Sequence, residues 1–143
     1  MSRYETVDHD AGATITVTGA TLPELFENAA YAVFDLTFDL ADVAPTYSCP
    51  LAAPGDGRTE LLVNWLNQLL AESERSGIAF CLFMVDRLED GGVQGSASGM
   101  PITTTVRRRS RVVEATAAAP PVFGDDEWTV SFQVTTGRQL RAV

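Results

Sequence analysis

Asp8-His9-Asp10 sets two carboxylates and the only histidine of a 143-residue chain in consecutive positions, and Gly12 follows two residues later. In an extended backbone alternate side chains share a face, so Asp8, Asp10 and the position of Gly12 would line one side of a strand. Carboxylates so placed suit a hard divalent cation or a general acid/base pair. Three readings are open: a metal site, the remnant of one whose third member is missing at Gly12, or a polar strand end bonded to its own turn. A single histidine excludes a multi-histidine zinc site, and any histidine-based triad would have to use His9. No nucleophile motif and no glycine-rich phosphate loop accompanies the cluster.

The second concentration of charge is basic. Arg107, Arg108, Arg109 and Arg111 stand together in a chain whose formal net charge is −9. If extended, this segment projects Arg107, Arg109 and Arg111 on one face and Arg108 on the other. Such a face can contact phosphate or an acidic protein surface, or it can be the charged side of an edge strand that resists sheet-to-sheet association. The overall acidity argues against nucleic-acid binding through a general positive field. All ten basic residues are arginine, so lysine-mediated covalent chemistry is excluded.

Composition points to one soluble domain over residues 1–143, with 45% hydrophobic and 20% charged residues. The polar start MSRYETVDHD lacks the apolar core of a signal peptide. The longest apolar run, Ile78 to Val85, has eight residues, too few to cross a bilayer. A cytoplasmic protein without a membrane partner is expected. Cys49 and Cys81 have no metal-ligand spacing, so free buried thiols are the expected state, with a disulfide as the alternative.

Several elements must position these residues. Thr14 to Thr18 alternates with a period of two and predicts a half-buried strand. Thr21-Leu22-Pro23-Glu24 is a capping box. The apolar residues from Leu22 to Phe34 then recur at helical spacing, predicting a helix that ends near Leu36 to Asp39. A short strand is predicted around Tyr47 to Leu51, before the turn at Gly55-Asp56-Gly57. A second helix is predicted from Thr59 to Glu74, with Leu61, Leu62, Trp65, Leu66, Leu69 and Leu70 as its buried stripe and Gly77 as its stop. Asn64 and Asn67 interrupt that helix and read either as solvent-exposed beside the stripe or as functional.

Strands are predicted over Ile78 to Leu88, Val93 to Ser98, Val106 to Thr116 and Trp128 to Thr136. Gly91-Gly92 and Gly124-Asp125-Asp126 mark turns, and Pro120-Pro121 an edge or loop. The fold class is α+β: a single domain with two amphipathic helices packed on a mostly antiparallel β-sheet.

Three segments together resemble the archease family: YETVDHDAGATITVTG, TLPELFENAAYAVFDLTFDLADVAP and TELLVNWLNQLL, in order over roughly the first 75 residues. The carboxyl-terminal half resembles it more loosely, mainly around Trp128. The resemblance implies an archease-like fold and an accessory protein rather than an enzyme. Archeases assist the RtcB-type RNA ligase of tRNA splicing, promoting its guanylylation and turnover. The family binds a divalent cation, commonly calcium. Its ligands are the last Asp of an Asp-His-Thr-Ala-Asp motif and an Asp near the end of the final strand, and a lysine near the penultimate strand is tied to activity.

Carried over residue by residue, Asp8 and His9 match the start of that motif, but the two ligand positions fall on Gly12 and Thr135. The lysine has no counterpart; Arg111 or Glu114 takes its place. The resemblance therefore implies a degenerate metal-binding site in which Asp8 and Asp10 are the remaining carboxylates. His9, Arg107, Arg109 and Arg111 are the candidates for partner contact. The expected partner is an RtcB-type RNA ligase. The alternative is a diverged chaperone-like or protein-interaction module without ligase activation.

Overall fold

The computed structural model describes residues 4–9, 12–103, 106 and 111–137. In chain order the elements are β1 (Tyr4–His9), β2 (Gly12–Gly19), α1 (Leu22–Thr37), a 3-10 turn (Leu40–Asp42), β3 (Tyr47–Pro54) and α2 (Arg58–Ser76). Then follow β4 (Ile78–Glu89), β5 (Gly92–Pro101), β6 (Arg111–Ala118), β7 (Val122–Gly124) and β8 (Glu127–Gly137).

The strands form two antiparallel sheets. The larger runs β1-β2-β8-β6, with β7 also paired to β8; the smaller runs β3-β5-β4. Sequence periodicity predicts strands but not which of them pair, so the expected single sheet is in fact two. A second difference concerns the amino terminus. The stretch from Tyr4 to Gly19 is a hairpin rather than one extended strand, with His9 opposite Gly12 and Asp8 opposite Ala13. Asp8 and Gly12 therefore belong to different strands and share no strand face. Asp10 lies outside the described residues.

The helices join the two sheets. Thr21 caps α1, its hydroxyl accepting from the Glu24 N–H at 3.2 Å, while Glu24 accepts from the Ala20 N–H at 2.6 Å. The buried residues of α1 include Leu25, Phe26, Ala29, Ala30, Ala32, Val33 and Phe34, more than a single stripe. That breadth follows from its position, packed against β2 of one sheet and β4 of the other. Phe34 packs at a tilt against the Phe83 and Phe80 rings of the small sheet, with ring centres 5.3 and 5.7 Å apart. Each such large apolar side chain contributes about 1.5–3 kcal/mol when fully buried.

The polar residues of α1 are also used structurally. Glu27 accepts from the Val85 N–H at 2.8 Å, beside a bulge in β4, and Asn28 donates to the Thr18 carbonyl at 2.7 Å. Tyr4 donates to Asp35 at 2.5 Å, tying the edge strand β1 to the helix.

α2 packs on β3 and β6. Trp65 is fully buried, and its indole N–H donates to the Phe26 carbonyl of α1 at 3.3 Å. Gly77 ends α2 in the left-handed conformation (φ +71°), where a side chain would be strained. Asn64 and Asn67 are neither idle surface residues nor free functional groups. Asn64 donates to the Pro54 carbonyl at 2.7 Å. The Asn67 amide donates to the Ala115 carbonyl at 2.9 Å and accepts from the Ala115 N–H at 2.7 Å. A side-chain amide carries one donor and one acceptor side by side, as a peptide does, so Asn67 meets β6 as a neighbouring strand would.

The strand predicted over Val106 to Thr116 is described from Arg111 onward as β6. Val106 itself is at a bend, its N–H bonded to the Thr103 carbonyl at 3.1 Å, with its side chain buried. Arg107, Arg108 and Arg109 lie outside the described residues. Pro120-Pro121 separates β6 from β7 along the same edge of β8, as expected of residues that cannot donate to a ladder. Cys49 and Cys81 are free and half-buried, on β3 and β4 with β5 between them. Among the described residues no helix is long and apolar enough to cross a membrane.

Candidate functional site

Most of the residues singled out in the sequence converge on one end of the large sheet. There β1 ends, β2 begins, β6 begins and β8 ends. The register places Glu114 of β6 opposite Thr135 of β8, Thr135 opposite Gly12 of β2, and Gly12 opposite His9 of β1. One row thus crosses four strands and carries both positions on which the family's ligands fall. Asp8 sits in the adjoining row on one side, in line with Ala13, Val134 and Ala115, and Arg111 lies on the other side, opposite Gly137. The side chains of His9 and Arg111 lie outside the described part.

The geometry limits the chemistry. Directly opposed residues in an antiparallel pair project to the same side, so Glu114 and Thr135 are neighbours with a carboxylate and a hydroxyl. Glu114 and His9 stand three strand spacings apart, roughly 14 Å, too far to share an ion. Asp8 is exposed at the sheet edge.

Gly12 is more than a missing ligand. A Cβ built there would lie 1.9 Å from the Val134 carbonyl oxygen and 3.0 Å from its carbon. That space is already filled by the backbone of β8, so an aspartate at position 12 would require the two strands to part. Thr135 is half-buried and offers only a neutral oxygen. Calcium takes about six to eight oxygens, several of them from carboxylates, and the described residues of this row do not meet that demand. Among the described residues no group of three or more His, Cys, Asp or Glu side chains is arranged to hold a metal. Of the two carboxylates proposed as remaining ligands, Asp8 therefore lacks companions among the described residues, and Asp10 lies outside them.

Sequence reasoning overlooked the opposite end of the same sheet. There Trp128 of β8 faces Gly19 of β2 on one side and Phe123 of β7 on the other. The Phe123 and Trp128 rings lie 5.3 Å apart at a 58° tilt, and the Arg58 guanidinium at the start of α2 sits 5.2 Å from the Trp128 ring centre. The available signal was the pair Val122-Phe123, set between two prolines and an acidic turn. A loop rich in breakers ordinarily carries no exposed aromatic.

The two thiols fit a structural role. Burial pushes the Cys49 thiol up, with Glu72 adding to the effect and Arg75 opposing it, and burial alone raises Cys81. Neither is an activated nucleophile.

Residues 4–119 match the model of the archease protein family. The protein archease of Methanopyrus kandleri is 37% identical over 101 residues, covering 68% of this chain and 72% of its own length. That of Methanothermobacter thermautotrophicus is 31% identical over 129 residues, covering 88% and 92%. The solution structure of Methanobacterium thermoautotrophicum protein 1598 superposes with a TM-score of 0.77 at 26% identity, over 94% of this chain and 99% of that one. A Thermotoga maritima crystal structure, described as an archease and possible chaperone, shares the fold with a TM-score of 0.66 at 13% identity, over 92% and 96%. With its family model matched over most of its length and its fold shared with these structures, the chain belongs to the archease family.

Proposed function

We propose that this chain is an accessory protein, not an enzyme, that assists an RtcB-type RNA ligase in tRNA splicing or RNA repair. Its role is to favour guanylylation and turnover of the ligase by protein contact in the cytoplasm. Family membership over residues 4–119 supports the accessory role. The observation that carries the finer reading is the closed position at Gly12, where the Val134 carbonyl takes the space a ligand side chain would need. Glu114, Thr135 and Asp8 remain at that end as polar contact groups, and His9 and Arg111 join them through the sheet register. The ion that relatives are expected to bind is accordingly not part of the activity proposed.

The test is a multiple-turnover ligation assay with the cognate ligase, with and without this chain, across a range of divalent-ion concentrations. Stimulation that does not depend on calcium is expected, and no stimulation at any concentration overturns the reading. Calorimetric titration of the chain with calcium is expected to show no binding in the micromolar range. Tight binding that disappears in Asp10→Ala would overturn the degenerate-site part alone.

A second reading is a diverged chaperone-like module without ligase activation. What favours it is the same pair of neutral residues, Gly12 and Thr135, together with the absence of any lysine. The ligation assay separates the two.

A further inference from the structure

We propose that the β7–β8 hairpin tip docks a protein partner, through an apolar pocket on that partner ringed by arginine or lysine. This rests on the accessory reading above and names the surface it would use. Phe123 is 55% exposed on a three-residue strand and shares a face with Trp128, its cross-strand partner, while Val122 projects to the opposite face. Phe123 leans on half-buried Trp128, and Arg58 lies over the far ring. Single exposed apolar residues are ordinary on any surface. Here an exposed phenylalanine adjoins a tryptophan that an arginine overlies, the combination in which protein interfaces concentrate their binding energy.

The rim selects the partner's chemistry. Asp125, Asp126 and Glu127 form an exposed acidic turn at the tip. Asp125 and Asp126 both adopt positive φ, at +53° and +64°. That is the two-residue turn whose twist suits a tight hairpin, so Phe123 is presented on a short, fixed support. Asp56 and Glu60 flank Arg58 in sequence and are likewise exposed. Three successive carboxylates repel RNA phosphates and anionic lipid headgroups alike. They complement a protein surface that is itself positive, as the surface of any protein that handles RNA must be. Arg58 lies over the indole at the edge of the patch, 5.2 Å from the ring centre.

The other exposed apolar residues provide the contrast. Leu82 and Met84 project from the outer face of β4. Across the small sheet Leu82 is in line with Ser98 and Ser48, and Met84 with Ser96 and Pro50. Along that strand the exposed Arg87 and Glu89 pair with each other at 3.4 Å, and the rows of Leu82 and Met84 carry no aromatic residue, so they lack the combination of ring and unpaired acidic turn found at the tip.

The experiment measures binding of the full chain to its RtcB-type ligase by surface plasmon resonance, at low and high salt. The variants are Phe123→Asp and Glu127→Arg, with Met84→Asp as a control and thermal melts to confirm that each is folded. Wild type is expected to bind, more weakly as salt rises. Phe123→Asp should weaken binding at least about tenfold, Glu127→Arg by several-fold, and Met84→Asp not at all. Wild-type binding that Phe123→Asp leaves unchanged overturns this inference and leaves the accessory reading standing. Equal loss in Met84→Asp and Phe123→Asp also overturns it, because contact would then not be confined to the tip. Failure of wild type to bind the ligase overturns both.

Discussion

The two ends of the large sheet are built from the same strands and have opposite characters. At one end the row Glu114-Thr135-Gly12-His9 is polar, and the backbones of β2 and β8 approach so closely that position 12 tolerates no side chain. At the other, Phe123 packs at a tilt against Trp128, Arg58 lies over the indole, and apolar surface is left open to solvent. The first end carries the family's signature residues, and among its described residues no three His, Cys, Asp or Glu side chains are grouped to hold a metal. The second carries no signature and has the composition of a binding surface. In this chain, motif and contact surface stand at opposite ends of one sheet.

The largest effect that could break this contrast is expected from Gly12→Asp. Forcing a side chain against the Val134 carbonyl should destabilise the fold by about 3 kcal/mol, read as a lowered denaturation midpoint. The double variant with Thr135→Asp, which places carboxylates at both family positions, should still bind no calcium at micromolar concentration by calorimetry. A stable Gly12→Asp, or tight calcium binding by the double variant, would show that this end is merely vacant rather than closed.

A smaller loss is expected from Asn67→Ala. It removes both hydrogen bonds to Ala115, the residue next to Glu114, and leaves a backbone donor and acceptor on β6 without a partner. The cost should be about 2 kcal/mol. Hydrogen exchange should show the amide of Ala115 losing protection before those of β2. Uniform loss across the sheet would mean that Asn67 does not hold this end in particular.

At the other end, Arg58→Ala should cost less than about 1 kcal/mol, the usual worth of an exposed cation–π contact. Its clearer sign should be a change in Trp128 fluorescence. Trp65 is fully buried and provides a constant background.

The smallest effect concerns the small sheet, which belongs to neither end. The folded state holds the thiol protons of Cys49 and Cys81 more tightly than the unfolded chain does. That contribution to stability is complete below the ordinary thiol range near about pH 8.5 and is lost as pH rises through the raised values. Alkylation should therefore be slow at neutral pH and quicken in alkali, identically in wild type and Phe123→Asp. A difference between the two would mean that the hairpin tip communicates with the small sheet.

Much of the fold was legible in the chain. The capping box at Thr21, the stop at Gly77 and the apolar stripe around Trp65 act locally, through rules of period and capping that need no distant partner. The convergence of Asp8, Glu114 and Thr135 on one end of a sheet was not legible, because strand pairing between residues more than a hundred positions apart leaves no mark on either strand alone. Asn67 shows the same limit. Its polarity invited a surface or functional reading, yet its amide lies against a strand edge 48 residues away.

The sequence by itself determined the α+β class, the two helices with their caps, the family resemblance and the absence of lysine chemistry, since each depends on residue type and short-range spacing. Only the tertiary structure decided that the strands divide into two sheets and that the amino-terminal motif is a hairpin. It alone decided that position 12 is closed by Val134 and that Phe123, Trp128 and Arg58 meet. Each of these depends on how closely backbones from distant parts of the chain approach, and that distance is set by packing rather than by pattern.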